Sequence, residues 1–262
     1  MKRRGPRRAS LELRPEELGL PSTGEPRLFL GRLTGEALGA ELQAAGIPAF
    51  LATRGFPGVR VDTDLAEGEH RLRVAASDDG ALLVELRLAE MATPLPAALR
   101  ASGPENLHVL AILWAALQNP RASFTPDRPR LPGQDHPGLG VGRRLYEVLR
   151  GWAVAFGKDA LLNVPEHYHN ALFYAGQFRF LDPIEQGRFE ALRRDLAGLH
   201  VADASFAIED GRVRDEAADR TYAWDPGAMV APVSAALAAA VASAPYRDAV
   251  AGARDAARFR AC

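Results

Sequence analysis

The run His136-Pro-Gly-Leu-Gly-Val-Gly-Arg-Arg-Leu145 sets three alternating glycines, Gly138, Gly140 and Gly142, at the mouth of a helix. Behind them Val141, Leu145, Val148, Leu149, Trp152 and Phe156 recur at three- and four-residue steps, which is one apolar helical stripe. Arg143, Arg144, Glu147 and Arg150 fall off that stripe. Glycine lets a backbone adopt positive φ and approach a ligand closely. The first N–H groups of a helix have no intrahelical partner, and the helix dipole is positive there. Together these properties make a phosphate cradle; the same spacing also opens helices for packing reasons alone. No Gly-Lys-Ser/Thr follows, so the run is not a P-loop. A Pro-rich loop precedes it in place of a strand, which excludes the dinucleotide fingerprint.

Downstream, Asp159-Ala-Leu-Leu-Asn-Val-Pro165 reads as a buried strand, Glu166 to Gly176 as a helix, and Phe178-Arg-Phe-Leu181 as an aromatic strand. The order is glycine loop, helix, strand, helix carrying Asn170-Ala-Leu-Phe-Tyr174, then aromatic strand. Over residues 131–182 this resembles the GNAT superfamily of acyl-CoA N-acyltransferases. The resemblance implies a central mixed sheet flanked by helices, an acyl-CoA such as acetyl-CoA as co-substrate, and transfer of its acyl group to an amine. It implies coenzyme contacts from Gly138, Leu139, Gly140, Val141, Gly142, Arg143 and Arg144, mostly through backbone N–H groups, and from Asn170. It casts Tyr174 as the acid that protonates the departing thiolate. Pro137 stands where the family has Gln or Arg, His167 where its Asn is expected, and Gln177 in place of Gly before Phe178. The family's splayed central strand leads straight into the glycine loop; here the clearest strand ends at Met91, well upstream.

That clearest strand is Ala81 to Met91, with Leu82, Val84, Leu86 and Leu88 on one face and Glu85 and Arg87 on the other. Glu90 falls at the end of the apolar face and is the candidate general base; its alternative is a carboxylate at the sheet rim. Asp78-Asp79-Gly80 reads as the hairpin turn before it. Further upstream, Arg27 to Leu33 reads as a strand. Thr34 caps a helix over Gly35 to Ala45 that Gly46 closes. Ile47 to Thr53, Val59 to Asp62 and His70 to Ala75 read as extended. Leu107 to Gln118 reads as an apolar helix, and residues 119–137 as a loop. Beyond Asp182, a helix spans Glu185 to Leu196, and Ala204 to Glu209 and Thr221 to Trp224 read as short strands.

The chain thus divides into an irregular basic tail (1–26), a GNAT-like α/β domain (27–228) and an Ala-rich helical C-terminal extension (229–262). Its 262 residues are 47% apolar and 25% charged, with a net charge of −1, which suits a globular cytoplasmic protein with no general pull toward nucleic acid or membrane. No apolar run approaches the ~20 residues of a membrane span. The single cysteine, Cys262, can form neither an internal disulfide nor a thiolate metal site.

Glu166-His-Tyr-His-Asn170, with Asp135 and His136 upstream, raises a metal reading. On a helix His167 and His169 point about 200° apart and cannot share an ion; on an extended segment they can. No metal-ligand spacing such as HExxH appears, so no metal is expected. Three functions follow from these residues: the N-acyltransferase; a non-enzymatic GNAT-like protein that binds CoA or serves as a scaffold; and a His-dependent metallohydrolase.

Overall fold

The computed structural model describes residues 28–66, 68–96, 99 and 105–262, so the basic tail 1–26 lies outside the described residues. Two helices lead, α1 (Gly35–Ala44) and α2 (Ile47–Ala52). Thr34 caps α1 by accepting the Ala37 N–H at 3.1 Å, and Gly46, at φ 67°, turns the chain from one helix into the next. Strands β1 (Val59–Ala66), β2 (Glu69–Ala76), β3 (Leu82–Pro94) and β4 (Asn106–Leu117) then run as an antiparallel meander. Next come α3 (Gly142–Ala155), β5 (Ala160–Asn163), α4 (Tyr168–Tyr174) and β6 (Arg179–Phe180). The rest is α5 (Pro183–Asp195), α6 (Val201–Glu209), β7 (Val213–Asp215), β8 (Arg220–Thr221), β9 (Met229–Pro232), α7 (Ala235–Val241), α8 (Ala244–Ala256) and β10 (Phe259–Ala261).

Seven strands form one mixed sheet in the order β1-β2-β3-β4-β5-β9-β6, and β10-β7-β8 form a small second sheet. Within the large sheet only β4 and β5 pair in parallel. Alternation along the strands builds a core on each face. Leu110, Leu161 and Met229 pack with the α3 stripe, whereas Val109, Leu162 and Val230 pack with Leu237, Val241 and Val250 from α7 and α8. No helix among the described residues is long and apolar enough to cross a membrane.

Several elements differ from the reading of the sequence. Leu107 to Gln118 is strand β4 rather than a helix; its continuous apolar run, buried on both faces at Val109 to Ala111, fits helical and strand periods equally well. Ile47 to Thr53 is a helical turn started by Gly46 and Pro48. Of the stretch Arg27 to Leu33, Arg27 lies outside the described residues, and the remainder is a tight turn in which Phe29 bridges Leu33. Ala204 to Glu209 is helix α6, whose N-cap is the His200 imidazole accepting the Ala202 N–H at 3.2 Å. The extended piece of Thr221 to Trp224 is confined to β8. The helix around residues 166–176 is shorter, with His167 extended before it. The Ala-rich C-terminal stretch is helical in α7 and α8, but it also supplies β9, between β5 and β6 in the large sheet, and β10.

A bulge in β4 shapes the edge against which the glycine loop docks. Arg87 of β3 faces Trp114 and Leu88 faces Ile112, so Leu113 is an extra residue on β4. Such a bulge bends a strand and sharpens its twist. Ile112 is also the last β4 residue paired to β5, opposite Asn163, and Pro165 ends β5 two residues later. Beyond that point β4 runs on to Leu117 without β5 beside it.

The small sheet is anchored by a buried charge. Asp215 is fully buried, accepts Arg188 Nη2 at 2.7 Å and the Ala218 N–H at 3.1 Å, and so ties β7 to α5. Burial pushes its carboxyl up, but Arg188 outweighs that and holds it below the ordinary range. Asp215→Ala should destabilise the protein by roughly 3 kcal/mol at pH 7, the low end for breaking a buried pair because Arg188 regains water. Urea unfolding of the two proteins checks this; a change under 1 kcal/mol contradicts it.

Candidate functional site

The glycine loop lies against the end of β4. Residues 119–137 make an excursion, and the chain then returns: the Asn119 N–H donates to the Pro137 carbonyl at 2.7 Å, Gly138 bridges Gln118, and the Leu139 N–H donates to the Leu117 carbonyl at 3.0 Å. The wide sequence gap between Met91 and the glycines is thereby filled, because β4 is the strand that leads into them. The Leu139 N–H, one of the expected ligand donors, is spent on this tie. Gly140 has φ +83°, a left-handed conformation that favours glycine. Helix α3 starts at Gly142 with no side-chain cap, and its first ladder bond is Leu145 N–H to the Val141 carbonyl at 3.2 Å. The N–H groups of Val141, Gly142, Arg143 and Arg144 are therefore left at a bare helix N-terminus.

Cations surround it. The Arg144 guanidinium lies 4.5 Å from the Phe50 ring centre and that of Arg54 lies 5.0 Å from it. A Cβ on Gly140 would stand 3.5 Å from Arg54 Nη2 and 3.7 Å from Phe50 Cζ. Arg128 Nη2 donates to the Gly138 carbonyl at 2.8 Å. Among the described residues, neither Arg54, Arg128, Arg143 nor Arg144 is paired to a carboxylate. Phe50 and Arg54 escaped the sequence reading: they sit some ninety residues upstream and reach the loop only because α1 and α2 fold onto the sheet.

Where β4 and β5 part, apolar side chains face solvent. Leu113 is 49% exposed and Val164 56%, one residue beyond the last parallel pair on each strand. Two buried polar atoms, Asn163 Oδ1 at the end of β5 and His169 Nδ1 in the first turn of α4, have no hydrogen-bond partner among the described residues.

The catalytic candidates are not gathered. Glu90 lies on β3 opposite Leu110, seven β4 residues before the Leu117 tie, roughly 20 Å along the strand. It is paired to both Lys158 and Arg32. Burial pushes its carboxyl up, yet Lys158 and then Arg32 outweigh burial and hold it below the ordinary range. That is the rim arrangement, at the opposite end of α3 from the glycines. Tyr174 closes α4. Its ring packs on Phe178 at 5.7 Å, and Phe178 packs on Tyr146 of α3 at 5.8 Å, which links Tyr174 to the N-terminal half of α3. Burial raises the Tyr174 pKa, so the phenol keeps its proton at neutral pH. On the same helix Phe173, not Tyr174, is the exposed aromatic, at 57%. The Asn170 side-chain oxygen accepts the His167 N–H at 3.0 Å and is used in capping α4.

His167 and His169 stack with ring centres 5.3 Å apart and planes 12° apart. Parallel stacking points their nitrogens alongside one another rather than at a common centre. His167 Nδ1 is 3.2 Å from Glu209 Oε2, and its Nε2 stands against Gly133. Among the described residues no three His, Cys, Asp or Glu side chains gather where they could hold a metal ion. No family model, curated protein or solved structure matches the chain.

Burial first, and the neighbouring His167 second, depress His169 to about 4. The unfolded chain takes up this proton near 6.5 and the folded one only near 4, so the contribution to stability is full above 6.5 and is lost as pH falls toward 4. Stability measured by denaturant titration should therefore fall more steeply over that window in the wild type than in His169→Phe. Equal slopes contradict it.

Proposed function

We propose that this protein is an acyl-CoA-dependent N-acyltransferase of the GNAT type. The observation that carries the reading is the docking of the glycine loop on the end of β4, with the bare N-terminus of α3 beside it. Four free N–H groups, a positive helix end and unpaired guanidiniums suit a pyrophosphate. Beyond Ile112 the edge of β4 on the β5 side lacks a strand partner among the described residues, and an extended chain bearing amides, such as the pantetheine arm, can hydrogen-bond to such an edge. That arm would run from the cradle toward Leu113 and Val164, with the thioester where the strands part.

In this reading the amine nitrogen attacks the thioester carbonyl. The C–N bond forms, the C–S bond breaks, and the thiolate leaves with a proton. Tyr174 is the donor assigned here, since its buried phenol stays protonated at neutral pH. The amine's proton is assigned to no side chain, because Glu90 is ion-paired at the far end of α3. The CoA-binding protein without turnover is the second reading, favoured by the separation of Glu90 and by the inward packing of Tyr174.

Calorimetry with CoA and a thiol-release assay with acetyl-CoA and a panel of amines test both. Gly140→Asp should fold, as judged by circular dichroism, and lose measurable CoA affinity, because its carboxylate opposes the phosphates. Tyr174→Phe should bind CoA normally and lose about 10²-fold in kcat. CoA binding retained by Gly140→Asp contradicts the cradle. Binding by the wild type with no thiol released favours the second reading.

A further inference from the structure

A groove of about 530 Å³ opens on another side of the molecule, between the turn after α4, the outer face of α5 and the start of α8. Its rim carries four arginines, Arg179, Arg193, Arg247 and Arg254, against one carboxylate, Glu190. The carboxylate is already engaged. Glu190 Oε1 accepts Gln186 Nε2 at 3.0 Å, and its Oε2 lies 3.9 Å from Arg254, which also donates to Asp255 at 3.0 Å. Arg254 is thus neutralised on the spot.

The other three are not. Among the described residues Arg179 reaches the Val241 carbonyl, at 3.4 Å, and Arg193 the Phe189 ring, at 5.7 Å. Arg247 has no polar partner among the described residues. Three guanidiniums around one groove repel one another, and among the described residues none of the three has a carboxylate within ion-pair distance. A bound anion would offset the repulsion, and guanidinium forks match carboxylate and phosphate oxygens in pairs. The floor is apolar, with Phe178, Val241, Tyr246 and Val250 all buried, and Tyr246 fixed by its hydroxyl donating to the Phe180 carbonyl at 2.6 Å. The volume lies within the range of small-molecule sites, about 300–1,000 Å³.

We infer that this groove binds a small molecule carrying two or more negative charges, held by Arg179, Arg193 and Arg247 over the apolar floor. The site is separate from the glycine loop and does not rest on the acyl-transfer reading. The floor is rigid: Phe178 and Tyr246 belong to packed cores, so the arginine tips alone need to move to close on the ligand.

The test is calorimetric titration at low ionic strength with two probes, inorganic pyrophosphate and citrate. Each is run on the wild type, Arg193→Ala, Arg247→Ala and Gly140→Asp. The arginines are exposed, so their replacement leaves the core intact. The expected result is saturable binding by at least one probe that persists in Gly140→Asp, where pyrophosphate held at the glycine loop is lost, and that each arginine replacement weakens tenfold or more. Binding of pyrophosphate alone identifies a phosphorylated ligand, and binding of citrate alone a polycarboxylate. No heat from either probe at millimolar concentration overturns the inference. So does binding that Gly140→Asp removes while Arg193→Ala and Arg247→Ala leave it unchanged. Should Gly140→Asp fail to fold, the two arginine variants decide the matter.

Discussion

A single backbone hydrogen bond, Leu139 N–H to the Leu117 carbonyl at 3.0 Å, decides where the glycine loop can act. Without it residues 119–141 would be a long connection and α3 would start at an arbitrary place over the sheet. With it, and with Gly138 bridging Gln118, the N-terminus of α3 opens at the end of β4. The Leu113 bulge works with that tie. It bends β4 at the last pair with β5, so the strand that receives the loop is also the strand whose edge is left open. The bare N-terminus of α3 and the open edge of β4 are therefore brought side by side by that tie.

The electrostatics fit this layout. Arg54 and Arg144 lie over the Phe50 ring next to Gly140, without carboxylate partners among the described residues, whereas the buried Asp215 is matched to Arg188. Glu90 shows the contrast: it sits over the same core, but Lys158 and Arg32 hold it as a closed ion pair at the C-terminal end of α3. One end of the helix is thus neutralised by the protein itself, and the other has its N–H groups and guanidiniums unspent.

The parts of the fold that could be read from the sequence are those set by local chemistry. Thr34, Gly46 and the Asp78-Asp79-Gly80 turn mark boundaries through caps and turns, and the α3 stripe and the run Ala160–Asn163 declare themselves by period and burial. The elements misread are those set by tertiary context. β4 is buried on both faces at Val109 to Ala111, so alternation between Leu107, Val109 and Ala111 on one side and Leu110 and Ile112 on the other is hidden in a uniform apolar run. β9 is four residues inside an Ala-rich stretch, and only its position between β5 and β6 makes it a strand. The candidate site divides the same way. Gly138, Gly140 and Gly142 were visible as a pattern, whereas Phe50, Arg54 and Leu113 join it through folding alone.

Amide hydrogen exchange read residue by residue, with and without saturating CoA, tests whether the coenzyme lies along the glycine loop and β4. If the coenzyme spans the cradle and the open strand edge, exchange should slow at Val141 to Arg144 and at Leu113 to Ala116, and should stay unchanged in the small β10-β7-β8 sheet. CoA-dependent protection absent from Val141 to Arg144, or confined to the surface around Arg193 and Arg247, would contradict the account.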